Sequence, residues 1–129
     1  MIEEELMDYA RIDLCIVGGL TEARKVANWC ETHYIKIVPH NPLGPVSAAA
    51  CLHLDLATDN FAVQEGGRIG RSFLEDLFPV QVPYSAGYLF PPDRPGLGVE
   101  FDESAAEQYS FEWLTGPQLR REDGSFANW

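Results

Sequence analysis

Residues 13–65 constrain the fold more than any other stretch. Within them Asp13, His40 and Glu65 each stand at the C-terminal end of a short apolar run that reads as a strand, and two of those runs are followed by a helical pattern. The intervals between the three are 27 and 25 residues, about the length that a strand, a helix and a returning strand take up in a βαβ unit. A βαβαβ segment of this kind forms a parallel sheet and sets the three side chains next to one another on one rim. In parallel α/β barrels that rim carries the active site.

The local signals support this order. Residues 2–7 are acidic and helix-compatible, like the last turns of a helix. Residues 9–12 form a strand leading into Asp13, and residues 14–17 prolong the apolar run until Gly18-Gly19 permit a tight turn into a helix. Thr21 is the expected cap of a helix over 22–33, in which Ala23, Val26, Ala27 and Cys30 recur at helical spacing and His33 ends the element. Residues 35–38 are a second strand, halted by Pro39; Pro45 suits the first position of an alanine-rich helix over 46–56, in which His53 is a packing or surface residue. A turn at Thr58-Asp59-Asn60 leads to a third strand over 61–63.

Beyond Glu65 the chain changes character. A short helix is expected over 72–77, extended chain over 79–90, a proline- and glycine-rich crossing over 91–98, a brief strand over 99–101, and a helix over 103–109 capped by Asp102. Trp113 and Trp129 suggest a tail that docks on other structure. The division expected is 1–67 for the sheet-and-helix part and 68–129 for the closing part, with no independent second domain.

Composition narrows the class. The length of 129 residues suffices for one core, and no apolar run reaches the 18 residues of a membrane span. A net charge of −11 repels phosphates and argues against nucleic acid. The acidic first residues do not read as a signal peptide, so a cytoplasmic protein is expected. Cys15, Cys30 and Cys51 are odd in number, lack metal-ligand spacing and lie in apolar runs, as reduced core cysteines do.

An imidazole next to a carboxylate suits proton transfer near neutral pH. The carboxylate fixes one ring nitrogen as donor and leaves the other free. Asp13 and His40 on neighbouring strand ends meet that need, and Glu65 would sit on the next strand over. Each of the three could equally be a cap or a solvated loop residue.

With these residues placed, a resemblance is visible. Asp13, then Gly18-Gly19-Leu20-Thr21-Glu22, then residues 39–45 (PHNPLGP), then Gln64-Glu65, resemble the C-terminal half of enolase-superfamily barrels of the mandelate racemase subgroup, with sugar-acid dehydratases such as D-galactonate dehydratase nearest. Residues 94–102 (RPGLGVEFD) and 121–129 are similar to that group's closing segment. The resemblance implies an α/β fold: the last three β/α units, strands six to eight, of a TIM-type barrel, plus a tail that packs on a capping domain. It implies an Asp13–His40 dyad that moves a proton next to a carboxylate, with Glu65 near the substrate carboxylate assisting enolate formation. It also implies a Mg2+ cofactor stabilising the enediolate, with ligands after strands three to five, upstream of this chain.

The expected function is therefore that of the C-terminal fragment of a magnesium-dependent sugar-acid dehydratase, a hydro-lyase. Its partners would be a small-molecule sugar acid, no nucleic acid and no membrane, within a homo-oligomeric parent. A complete barrel needs about 250 residues, so the 129-residue chain alone is expected to be inactive. A racemase, epimerase or cycloisomerase of the same superfamily, and a non-catalytic remnant or binding module, remain open at this point.

Overall fold

The structure is a computed structural model that describes residues 1–66, 74–113 and 119–127. Strand β1 (Tyr9–Ala10) leads into two helices, α1 (Leu14–Val17) and α2 (Gly19–Glu31), and the chain returns through β2 (Lys36–Ile37) and helix α3 (Pro45–Leu56). β1 and β2 pair in parallel, with Tyr9 opposite Lys36 and Ala10 opposite Ile37. A third parallel segment reaches β2 as an isolated bridge between Ile37 and Phe61, held by Ile37 N–H to Asn60 O at 2.9 Å and Ala62 N–H to Ile37 O at 3.0 Å. The expected third strand is thus present in position but too short to be a regular strand.

Alternation explains the packing. Ile35, Ile37 and Pro39 are buried while Lys36 is exposed, and Ala10 and Ile12 are buried while Tyr9 and Arg11 are exposed. One face of the sheet therefore lies under the helices. Against it pack Ala23, Ala27 and Cys30 of α2 and Cys51 and Leu54 of α3, each at 2% exposure or less. The small residues let both helices approach closely. Asn60 ties the layers together: its side-chain amide donates to the carbonyls of Ala27 and Ile35, both at 3.0 Å.

Several local expectations are corrected. Residues 14–17 are a helical turn, not a continuation of the strand, because the Asp13 side chain accepts from the Cys15 N–H at 2.8 Å and caps a turn at once. Gly18, at φ +110°, then ends α1 and starts α2, so Thr21 lies inside α2 and is not its cap. Cys15 is exposed and is not a core cysteine, unlike Cys30 and Cys51; all three are free. Pro45 does open α3.

In the closing part, β3 (Tyr84–Ser85) and β4 (Tyr88–Leu89) form a hairpin. Its two turn residues, Ala86 at φ +50° and Gly87 at φ +87°, have the signs of a type I′ turn. Val80 bridges Glu100, the Phe78 and Phe101 rings meet at a 46° tilt with centroids 5.4 Å apart, and Asp102 caps a single turn, α4 (Glu103–Ala106), shorter than expected. The expected helix over 72–77 lies partly outside the described residues, as does Trp129. Trp113 is 80% exposed, and its ring lies 6.2 Å from that of Phe111. Among the described residues no helix is long and apolar enough to cross a membrane.

Candidate active site

The parallel sheet brings Asp13, His40 and Glu65 together at its C-terminal rim. The His40 backbone N–H donates to Ile12 O at 2.8 Å, which sets the ends of the first two parallel segments level. Asp13 and His40 then face each other across the rim, with Asp13 Oδ2 2.9 Å from His40 Nδ1. The other Asp13 oxygen is held by the Cys15 N–H. One carboxylate therefore orients the imidazole while being oriented itself by the turn that it caps. The Asp13 side chain is 12% exposed and the His40 side chain 31%, so the acid is sheltered and the ring has an open side. The His40 hydrogen bond, and behind it the Cys15 N–H, hold the Asp13 carboxyl below the ordinary carboxylate range.

Glu65 completes the arc. Its Oε2 lies 3.9 Å from His40 Nε2 and accepts from the Asn41 backbone N–H at 2.9 Å, while its Oε1 accepts from the Arg11 guanidinium. The Arg11 bond, chiefly, and the Asn41 N–H keep the Glu65 carboxyl below its ordinary range. Glu65 is accordingly a carboxylate near neutral pH, which accepts hydrogen bonds.

Arg11 escaped the sequence reading. Its signal was available: a cation two residues before Asp13 on one strand lies on the same face as Asp13. His33 and His53 stand apart from the rim contacts; the His33 ring lies 3.9 Å from Glu3 and from Glu5. Among the described residues no group of three His, Cys, Asp or Glu side chains could hold a metal ion.

An imidazole with one nitrogen anchored and the other next to open space can accept a proton from a carbon acid and return it. The rim therefore provides an oriented imidazole, a fixed anion and a cation.

The chain has relatives among known proteins. Residues 1–105 match the family described as enolase C-terminal domain-like. The chain is 39% identical over 131 residues to a D-mannonate dehydratase of Caulobacter sp. (strain K31), covering all of this chain and 32% of that protein. It is 39% identical over 132 residues to a D-galactonate dehydratase family member of Streptomyces bingchenggensis, with the same coverage of each. It thus spans about a third of the length of the curated relatives it matches. Among solved structures, an enolase from Pantoea ananatis with bound D-gluconate and Mg superposes with a TM-score of 0.79 at 33% identity, over 86% of this chain and 27% of that one. An enolase from Agrobacterium radiobacter with bound Na and L-malate superposes with a TM-score of 0.83 at 32% identity, over 97% and 35%.

Proposed function

The chain belongs to the enolase C-terminal domain-like family, and from that membership we propose that it is the part of a sugar-acid dehydratase that carries the proton-transferring Asp13–His40 pair. In this reading the three parallel segments are strands six to eight of a TIM-type barrel. Residues 1–67 are the barrel portion, and residues 68–129 are the last helix region and closing tail.

The observation that carries the reading is the 2.9 Å contact between Asp13 Oδ2 and His40 Nδ1 at the rim. With Nδ1–H donating to Asp13, the Nε2 lone pair of His40 takes the proton α to the substrate carboxylate. The imidazolium so formed is stabilised by Asp13, and the same nitrogen can return the proton to a departing β-hydroxyl, which leaves as water. Glu65, held by Arg11, accepts a substrate hydroxyl and fixes the pose.

The described residues do not make a magnesium site. Magnesium takes an octahedron of oxygens, and here an imidazole stands between the only two carboxylates of the rim arc. In this reading the magnesium ligands belong to parts of the whole protein outside this chain. The Mg bound in the Pantoea structure supports the reading of a metal-dependent whole protein.

A chimera tests the proposal. The upstream two-thirds of the Caulobacter D-mannonate dehydratase, joined to this chain, should dehydrate a member of a sugar-acid panel (D-mannonate, D-galactonate, D-gluconate) and lose the activity with EDTA. The 129-residue chain alone, with magnesium and the same panel, should show no turnover. A folded chimera inert on the whole panel, or clear dehydration by the chain alone, would refute the reading.

A further inference from the structure

Both ring nitrogens of His40 face carboxylates, and the two sides are not alike. Asp13 Oδ2 stands 2.9 Å from Nδ1, which is a hydrogen bond, whereas Glu65 Oε2 stands 3.9 Å from Nε2, too far for one. That gap decides what the imidazole can do. With Glu65 closed onto Nε2, both nitrogens would be donors bonded to anions. The ring would hold its second proton and keep no lone pair for a substrate.

Glu65 is kept back by its other bonds. Its Oε2 accepts from the Asn41 backbone N–H at 2.9 Å, and its Oε1 accepts from the Arg11 guanidinium. The Asn41 N–H is neutral and holds one oxygen. The guanidinium is charged, so it fixes the second oxygen and offsets the charge that the ring would otherwise feel. Among the described residues Asp13 and Glu65 are the only acidic groups against the ring nitrogens, and Arg11 is the only other cation paired with either. Arg11 comes from the first parallel segment, two residues before Asp13, and its side chain is 56% exposed, so it carries no part of the core.

On the reading of His40 as the proton-transferring group, we propose that Arg11 is a positioning residue: it competes with His40 for Glu65, and by holding that carboxylate it leaves Nε2 free to take the substrate proton. Without the guanidinium, the charge of Glu65 falls on the ring instead, and the ring keeps its second proton to higher pH.

The readout is the titration of the His40 ring, followed by NMR in the 129-residue chain; its Cε1–H signal is the one that disappears in His40→Asn. Arg11→Met should move the midpoint up by about 0.5–1 pH unit relative to the unsubstituted chain, with the His33 and His53 midpoints unmoved. Adding Glu65→Gln to Arg11→Met should return it to the starting value or below, because the competing carboxylate is gone. Arg11→Gln serves if Arg11→Met does not fold. No rise on loss of the guanidinium, or a rise that persists with Glu65→Gln, would overturn the proposal. The titration needs no turnover, so it is decided separately from the dehydratase reading. In an active Caulobacter chimera the acidic limb of the kcat/KM profile should move up by the same amount in Arg11→Met. An active chimera whose limb stays put would refute the role of Arg11, whereas a folded but inert chimera beside a clear NMR rise would refute the dehydratase reading alone.

Discussion

Asp13 shows how much one carboxylate can organise. It caps α1 with one oxygen and orients His40 with the other. Its folded pKa lies below the ordinary 3.8. The unfolded chain therefore binds that proton more readily, and the stability that Asp13 provides, present above about pH 4, is lost as pH falls through its folded value. Asp13→Ala should cost about 1–2 kcal/mol near neutrality, through the lost cap and the lost hydrogen bond to His40, and should flatten the decline in melting temperature below pH 4. Asp55 runs the other way. Burial raises its pKa from 3.8 to about 7. Its contribution is complete below about pH 4 and is lost as pH rises toward 7. Asp55→Asn should remove that loss and raise stability at pH 8 by on the order of a few kcal/mol, measurable by denaturant melts at pH 4 and pH 8. Asp13, His40 and Glu65 were legible in the sequence because strand ends recur at βαβ spacing. Asp55 was not, because nothing in the run Leu54-Asp55-Leu56 says that its carboxyl is buried.

At the scale of elements, the sheet and its two long helices were readable from periodicity, and the turns were not. The apolar run Leu14–Val17 looked like strand because composition cannot distinguish four buried-strand residues from one helical turn. The Asp13 cap and the left-handed Gly18 decide it. The hairpin went unread because Ala-Gly is not the usual type I′ pair. Glycines test this level cleanly. At Gly98, φ is +72° and a Cβ would fall 2.3 Å from Pro92 Cβ, a ring with nowhere to go, whereas at Gly124 φ is +82° with open space around it. Gly98→Ala should therefore cost about 2–4 kcal/mol, the sum of backbone strain and overpacking, and Gly124→Ala about 1. Thermal melts of the two variants check the ranking; equal losses would show that the crossing of residues 91–98 over itself is not tightly packed.

At the scale of the molecule, the chain spans about a third of its curated relatives. Among the described residues β1 pairs with β2 alone, and its free edge borders an open groove of about 470 Å³ that reaches Arg11 and Asp13. Tyr9 and Val63 are each 59% exposed. These are surfaces that a longer barrel would bury, which fits the reading of the rim as one part of a larger catalytic site. The sequence could show the rim because its residues are local to strand ends. It says nothing of what, in the proposed reading, would stand opposite the rim. The most direct measurement is exchange of the substrate α-proton with solvent deuterium, followed by NMR in the Caulobacter chimera. We expect His40→Asn to lower both exchange and dehydration by about 100-fold or more while the chimera stays folded. Exchange at the parental rate without the imidazole would contradict the assignment of His40 as the proton-transferring group.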